Sequence, residues 1–221
     1  LGEALNALAH GTRERESMKR FVSEEVLAAV EADGEETLKP GGERRLATIL
    51  FSDIRSFTTL SEKHSPEEII AMLNAYFTRM EACIRSHGGV IDKFIGDAVM
   101  AVFREQRSEA DQAQRACMAA LAMRKELAAF NEERRRRGQF EIQTGIGIAS
   151  GNVILGRIGS SRGRLDLTVV GDPVSTASAM ESASKKATKT FIVLAPSTIR
   201  LLRGQGRLEF IERIVPKGKT R

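Results

Sequence analysis

Residues 90–103, VIDKFIGDAVMAVF, contain two short apolar runs joined through Gly96 and Asp97. Apolar runs separated by such a pair are typical of a β-hairpin. Residues 45–54, RLATILFSDI, form another near-continuous apolar run, which indicates a strand buried on both faces. If the hairpin lies beside this strand in a central sheet, Asp53 and Asp97 emerge at one edge.

Helices are predicted around these strands. Ser65-Pro66-Glu67-Glu68 is typical of a helix start with a capping box. This helix is expected to end at Gly88-Gly89, and its buried stripe to be Ile69, Leu73, Phe77, Met80 and Ile84. A second long helix is predicted from Ser108, with the arginine run 134–137 as its solvated C-terminus.

The rest of the sequence also alternates between predicted strands and predicted helices. Helices are predicted after residue 170 and from Pro196, and strands at 140–149, 152–158, 165–170, 190–194 and 207–214. Strands and helices in this mixed order predict an α+β sandwich with a largely antiparallel sheet.

The N-terminal region is expected to be separate from this domain. Residues 1–32 predict a helix, which is either a surface helix packed on the domain or an incoming signal helix. The polar stretch 33–43 carries Pro40, Gly41 and Gly42 and is interpreted as a linker. The predicted division is therefore 1–43 and 44–221. Because the sequence begins at Leu1, we expect it to be part of a longer protein.

Composition narrows the class of protein. The chain has 221 residues and is 42% hydrophobic, which is typical of a globular domain. Its net charge of +5 suits either an anionic ligand or a side that faces a membrane. Because the chain has one Tyr and no Trp, its composition does not favour a nucleic-acid partner. Cys83 and Cys117 are predicted to be reduced core residues. No apolar run reaches the roughly 20 residues of a membrane span.

Asp53 and Asp97 are the first candidate functional residues. Two adjacent carboxylates repel each other unless they are protonated or bridged by cations, and hard oxygen ligands suit Mg²⁺ or Mn²⁺. Two such ions about 3.5–4 Å apart can activate an attacking oxygen and hold a leaving one. The alternative is that Asp53 caps the next helix and that Asp97 only favours its turn. Spacing alone leaves both interpretations open.

Three segments carry a resemblance. FSDIRSFTTLSE (51–62), IDKFIGDAVMAVF (91–103) and LTVVGDPVSTASAMES (167–182) together strongly resemble the catalytic domain of the class III nucleotide cyclases. The resemblance covers about residues 44–219. It implies a ferredoxin-like palm core preceded by a signalling helix, and a head-to-tail dimer with substrate at the interface.

The resemblance also implies roles for individual residues. Asp53, the backbone carbonyl of Ile54, and Asp97 would bind two Mg²⁺ or Mn²⁺ ions, and Phe57 would lie at the substrate. Lys93 would donate to adenine N1, and Thr168 would accept the adenine amino proton, so the expected substrate is ATP. Lys219 or Lys217 would bind the triphosphate.

The segment after residue 170 departs from the family pattern. Ser175 and Ala179 stand where the family usually carries an Asn that orients the ribose and an Arg that neutralises the α-phosphate. Arg157, Arg162 and Arg164 are candidates for a substitute cation, with a solvated dimer arm as the alternative interpretation.

The predicted function is adenylate cyclase activity, slow because Ser175 and Ala179 lack the usual groups, in a cytoplasmic domain coupled to an upstream sensor. The alternatives are a regulatory pseudo-cyclase that binds nucleotide without useful turnover, and one half of a heterodimeric cyclase. A diguanylate cyclase is disfavoured because no GG(D/E)EF turn is present.

Overall fold

A computed structural model describes residues 41–105, 111–159, 165–203 and 206–211. The helix predicted at 1–32 and the first part of the linker lie outside the described residues. The described residues divide into two compact units. The larger takes in the described residues from 44 to 154 and from 170 to 211, and the smaller takes in 41–43, 155–159 and 165–169.

Six strands form one sheet within the described residues: β1 (Gly41–Ile54), β2 (Val90–Ile95), β3 (Ala98–Arg104), β4 (Thr144–Gly159), β5 (Leu165–Val170) and β6 (Ile192–Leu194). Their order is β2-β3-β1-β4-β5, and β6 pairs with β4 in parallel. β3 runs antiparallel to both β1 and β2. The predicted α+β fold with a mostly antiparallel sheet is confirmed.

The predicted hairpin is formed by β2 and β3, and it lies beside β1 as expected. In this pairing Phe51 is opposite Met100 and Ser52 is opposite Val99. The turn residue Gly96 has a φ of 62°, a left-handed value that glycine adopts without strain. The register places the end of β1 next to the hairpin turn.

Other strand predictions need correction. Residues 144–159 form one continuous strand, β4, instead of two strands at 140–149 and 152–158. Residues 207–211 are irregular, so the strand expected at 207–214 is wrong over its described part. β1 begins at Gly41 and therefore takes in the end of the predicted linker.

The helices are α1 (Phe57–Lys63), α2 (Pro66–Ser86), α3 (Asp111–Arg136), α4 (Asp172–Ala183) and α5 (Pro196–Leu201), and a 3₁₀ turn at Ser184–Lys186 follows α4. The capping box of α2 is confirmed, because Ser65 Oγ accepts from Glu68 N and Ser65 N donates to Glu68 Oε2. Ser108 lies outside the described residues, so the start of the second long helix is described only from Asp111.

The buried face of α2 is rotated relative to the predicted stripe. Met72 and Tyr76 are buried, whereas Leu73 and Phe77 are only partly buried. The prediction of Ile69, Met80 and Ile84 as core residues is confirmed. The rotation gives the core the longer Met72 side chain and places the Tyr76 ring below the end of β1.

The arginine run at the end of α3 is also more than a solvated C-terminus. Arg134 is 7% exposed, and its Nε donates to the carbonyl of Phe140 at 2.6 Å. Its guanidinium lies 4.4 Å from the centroid of the Phe140 ring, a cation–π arrangement. Arg134 therefore attaches the chain after α3 to the helix. Cys83 and Cys117 are free thiols packed partly buried against the core.

Candidate active site

Asp53 and Asp97 lie together at the end of β1. The Asp97 Oδ2 atom accepts a hydrogen bond from the backbone N–H of Ile54 at 3.1 Å. The Asp97 carboxyl group is also within hydrogen-bonding range of the Asp53 carboxyl group. The antiparallel pairing of β1 with β3 produces this contact, because the hairpin turn that carries Asp97 meets the last residues of β1.

The two carboxyl groups strongly influence each other. Partial burial raises the pKa of Asp97 to about 7, and the hydrogen bond and negative charge of Asp53 contribute to the rise. The bond from Ile54 N–H opposes it. The negative charge of Asp53 thus disfavours the charged form of Asp97, and a cation between the two carboxyl groups would relieve this repulsion.

The structure disfavours the alternative roles of these carboxyl groups. The N-cap of α1 is Ser56, and no side chain makes a capping hydrogen bond there, so Asp53 does not cap this helix. Asp97 reaches beyond its own turn to Ile54. Both side chains are therefore held at the sheet edge by their positions in the fold.

Tyr76 lies beneath this pair and was not selected from the sequence. It is the only tyrosine in the chain, is fully buried, and forms a hydroxyl–hydroxyl hydrogen bond with Ser52 at 3.2 Å. Burial raises the pKa of Tyr76 to about 12, and the charges of Asp53 and Asp97 add to the rise. Tyr76 therefore remains a neutral phenol that supports the end of β1.

The donor set fits a magnesium-type ion. Among the described residues, no group of three or more His, Cys, Asp or Glu side chains is arranged to hold a metal. Asp53 and Asp97 would supply two carboxylates, and the backbone carbonyl of the adjacent Ile54 is the third ligand expected from the sequence. Mg²⁺ commonly uses one or two carboxylates, keeps waters and completes its shell with substrate phosphates. These three oxygen ligands are therefore suited to a metal ion whose remaining ligands come from water and from the phosphates of a bound nucleotide.

Lys93 lies on β2, where the strand register shifts between Ile91 and Lys93. The Lys93 Nζ atom lies 3.5 Å from Asp92 Oδ2, its neighbour in the chain. The Lys93 side chain is 38% exposed and that of Asp92 only 7%. A buried carboxylate therefore holds a partly exposed ammonium group at the sheet edge.

The other predicted site residues are placed as follows. Phe57 is the first residue of α1 and packs partly buried against the core. Thr168 is half-buried on β5, in the smaller unit. Lys217, Lys219 and the side chains of Arg157, Arg162 and Arg164 lie outside what the structure describes.

Helix α4 carries the two positions that depart from the family pattern. Ser175 is exposed, and its Oγ donates to the carbonyl of Asp172 at 3.1 Å, within the first turn of the same helix. Ala179 is half-buried, one helical turn further on. Neither side chain extends a polar group beyond the helix.

A buried ion pair connects α4 to the turn after β1, and it too was not selected from the sequence. Arg55 Nη1 lies 2.8 Å from Glu181 Oε1, with side-chain exposures of 15% and 9%. Burial raises the pKa of Glu181, and the Arg55 charge opposes the rise. The only feature of the sequence that could have indicated this ion pair is the charge of Arg55 directly after Asp53 and Ile54.

The whole domain matches one family. Residues 43–221 match the model described as the adenylate and guanylate cyclase catalytic domain. The chain belongs to this family. Cyclase domains of the family bind ATP or GTP, use divalent metal ions and work as dimers.

Individual relatives agree with this assignment. The cyclase domain is 39% identical to an adenylate cyclase of Anabaena cylindrica, over 77% of this chain and 34% of that protein. The chain thus spans about a third of that relative's length.

Two solved structures share the fold. The adenylyl cyclase CyaB from P. aeruginosa is 32% identical with a TM-score of 0.75, over 82% of this chain and 92% of that chain. The guanylyl cyclase Cya2 is 34% identical with a TM-score of 0.72, over 82% of this chain and 90% of that chain. The palm-type fold is therefore confirmed, and it accompanies both activities among these neighbours. Within the described part of the cyclase domain, no helix is long and apolar enough to cross a membrane.

Proposed function

We propose that this domain is an adenylate cyclase that converts ATP to 3′,5′-cyclic AMP and pyrophosphate. The observation that carries the proposal is the pairing of the Asp53 and Asp97 carboxyl groups beside Ile54, with the pKa of Asp97 raised to about 7. In the reaction, the ribose 3′-hydroxyl loses its proton to solvent and its oxygen forms a bond to the α-phosphorus, while the bond from that phosphorus to the pyrophosphate oxygen breaks and pyrophosphate leaves.

The two carboxylates and the Ile54 carbonyl would hold two Mg²⁺ or Mn²⁺ ions. When bound, these ions would lower the pKa of the 3′-hydroxyl and stabilise negative charge on the phosphates. Asp97 is positioned for this task by the Ile54 N–H, which fixes one of its oxygens. Phe57 and Lys219 are proposed at the substrate, where Lys219 or Lys217 would bind the triphosphate.

Lys93 supports ATP as the substrate. Its ammonium group can only donate hydrogen bonds, and adenine N1 accepts one, whereas guanine presents an N–H at the same place. Asp92 Oδ2 lies 3.5 Å from this ammonium nitrogen. Thr168 is proposed to accept the adenine amino proton. The identity of 39% to an adenylate cyclase favours the same choice.

A regulatory pseudo-cyclase is the second candidate, and helix α4 favours it. The Ser175 hydroxyl is engaged by the carbonyl of Asp172, and Ala179 has no polar group. Neither orients the ribose or neutralises the α-phosphate, so low turnover is expected from this chain alone. A partner half that supplies an Asn and an Arg would restore both functions, and Arg157, Arg162 or Arg164 would be the substitute cation in a homodimer.

The proposed assembly is a head-to-tail homodimer, with residues 1–43 as a signal-transducing segment that links residues 44–221 to an upstream sensor. We place the domain in the cytoplasm, where ATP is the abundant nucleotide.

Cyclic AMP and cyclic GMP formation should be measured with Mn²⁺ and ATP or GTP on protein whose dimeric state is established. Slow formation of cyclic AMP, lost in Asp53→Asn, would support the proposal. Metal-dependent ATP binding without product would favour the pseudo-cyclase. Preferential cyclic GMP formation would contradict the assignment to ATP.

A further inference from the structure

The turn after β1 is held from several sides. Ile54 N–H donates to Asp97, and Arg55 N–H donates to the carbonyl of Gln143 at 2.7 Å. The next residue, Ser56, has a φ of 55°, in the left-handed region that residues other than glycine rarely adopt. Such a conformation persists only when surrounding contacts determine it.

The Arg55 side chain supplies further contacts. One guanidinium nitrogen lies 2.8 Å from Glu181 Oε1, and the other donates to the Glu181 carbonyl at 3.3 Å and to Ser184 Oγ. A planar guanidinium that engages several acceptors is geometrically fixed to a degree that a lysine ammonium is not. Arg55 therefore joins the turn to the last turn of α4 and the 3₁₀ turn beyond it.

Glycines on β4 leave room for this arrangement. A Cβ at Gly145 would overlap the Arg55 guanidinium and Ser184 Oγ. A Cβ at Gly147 would overlap the backbone of α4 at Ala177 and Glu181. Helix α4 thus lies directly on β4, and the Arg55 guanidinium occupies the space that a side chain at Gly145 would fill.

We propose that Arg55 is a positioning residue of the metal-binding turn, which it fixes to helix α4 through Glu181. This inference rests on the proposed function, because it assigns Asp53 and Ile54 to the metals. It also gives α4 a second role. The helix carries Ser175 and Ala179, and through Arg55 any displacement of it would move the metal-binding turn.

Two roles of Arg55, one through its charge and one through positioning, predict opposite changes in metal affinity when Arg55 is replaced. Arg55 is a cation two residues after Asp53 in the chain, so removing its charge alone would be expected to strengthen binding of another cation at Asp53. Loss of positioning would weaken that binding, since the oxygen ligands would no longer be held together. The sign of the change therefore distinguishes the two roles.

The variants are Arg55→Met, Arg55→Lys and Glu181→Gln in the full 221-residue chain. Arg79→Met is the control, because Arg79 forms a more exposed ion pair with Glu133 at 2.6 Å between α2 and α3. Arg55→Lys keeps the charge without the planar fork. Glu181→Gln keeps an acceptor for Arg55 and is the variant least disruptive to folding.

The first measurement needs no metal. Hydrogen–deuterium exchange of peptides covering 51–57 should accelerate in Arg55→Met and, less strongly, in Arg55→Lys, whereas Arg79→Met should leave these peptides unchanged. Unchanged exchange at 51–57 in Arg55→Met would overturn the proposal. So would acceleration of equal size in Arg79→Met, because the effect would then be global.

The second measurement is the affinity for Mn²⁺ in the presence of a non-hydrolysable ATP analogue. Arg55→Met and Arg55→Lys should bind Mn²⁺ about tenfold more weakly, as is usual when the groups that orient metal ligands are removed. Glu181→Gln should show a smaller loss, and Arg79→Met none. Tighter or unchanged binding in Arg55→Met would overturn the positioning role while leaving the proposed function intact. If wild type itself binds no Mn²⁺, the proposed function and this inference fail together.

Discussion

The Asp97 carboxylate accepts the backbone N–H of Ile54 at 3.1 Å, across 43 residues of sequence. This bond joins the hairpin turn to the end of β1 and places one carboxylate oxygen beside Asp53. The contact is made by backbone and carboxylate atoms of the protein alone. The bond therefore contributes to the positioning of the two carboxyl groups that are proposed to bind metal.

Metal-dependent nucleotide binding should depend on both carboxylates. Asp53→Ala or Asp97→Ala should abolish the tightening of ATP-analogue binding by Mn²⁺ while the domain remains folded, because each residue lies at a strand end. Calorimetry with and without Mn²⁺ measures this effect, and Glu133→Ala, at the α2–α3 ion pair, is the control. Unchanged Mn²⁺-dependent affinity in both aspartate variants would contradict the two-metal site.

Base preference should depend on Lys93. A mismatched base leaves buried donors or acceptors without partners, at about 1–3 kcal/mol each. ATP analogues should therefore outcompete GTP analogues in wild type, and Lys93→Glu should narrow or reverse the preference. Lys125→Glu, on the exposed face of α3, should leave it unchanged. Equal affinities for the two analogues in wild type would remove the basis for the assignment to ATP.

Restoring the usual side chains on α4 should accelerate the reaction. Ser175→Asn combined with Ala179→Arg should raise kcat by about tenfold or more and change KM less, since the added groups act mainly in the transition state. The positions lie one helical turn apart, so their effects should be non-additive. Ser178→Asn with Ser182→Arg has the same spacing on exposed positions of α4 and is the control.

Two results would contradict this expectation. If wild type is already fast and the double variant is no faster, another cation acts at the α-phosphate, and Arg157, Arg162 and Arg164 should be mutated next. If both proteins bind ATP but form no product, the homodimer is a pseudo-cyclase or lacks its proper partner.

The metal-free domain should be less stable at high pH because of Asp97. The pKa of Asp97 is raised from 3.8 to about 7 in the folded state, so the unfolded state loses this proton first as pH rises. The stabilising effect of the proton is present below about pH 4 and is lost as pH rises through 7. Asp97→Asn keeps an acceptor for Ile54 N–H and carries no charge.

With a chelator present, Asp97→Asn should therefore have a Tm a few degrees above wild type at pH 8. The difference should shrink at pH 5, where wild type retains its proton. A pH series of thermal melts measures this. A variant that is less stable than wild type at pH 8, or a difference that does not change with pH, would contradict the assigned cause.

Gly147 should be essential for the packing of α4. In Gly147→Ala the new Cβ would overlap the backbone at Ala177 and Glu181, and forced overpacking usually costs about 1–3 kcal/mol. The Tm should fall, and Mn²⁺ affinity should fall with it, because α4 carries the partner of Arg55. Denaturant unfolding together with calorimetry tests this, and an unchanged Tm would show that α4 can move without cost.

Local patterns predicted much of this structure. The hairpin, the capping box at Ser65 and the Asp53–Asp97 edge depend on neighbours in sequence or on a single strand pairing. Predictions were wrong where long-range packing decides. One example is α2, where Met72 and Tyr76 are fully buried and Leu73 and Phe77 pack only partly buried against the core, because the sheet selects which edge of a broad apolar stripe is buried. The solvated interpretation of Arg134 failed for the same reason, since Phe140 covers it.

The sequence by itself determined the α+β class, the family and the two carboxylates, because residue periodicity and motif spacing are local properties. Only the tertiary structure decided how the site is held: the bond from Ile54 to Asp97, the Asp92–Lys93 pair at the β2 irregularity, and the Arg55–Glu181 pair. Arg55 and Glu181 are 126 residues apart in the chain. No local pattern relates them, because their contact exists only once α4 packs on the glycines of β4.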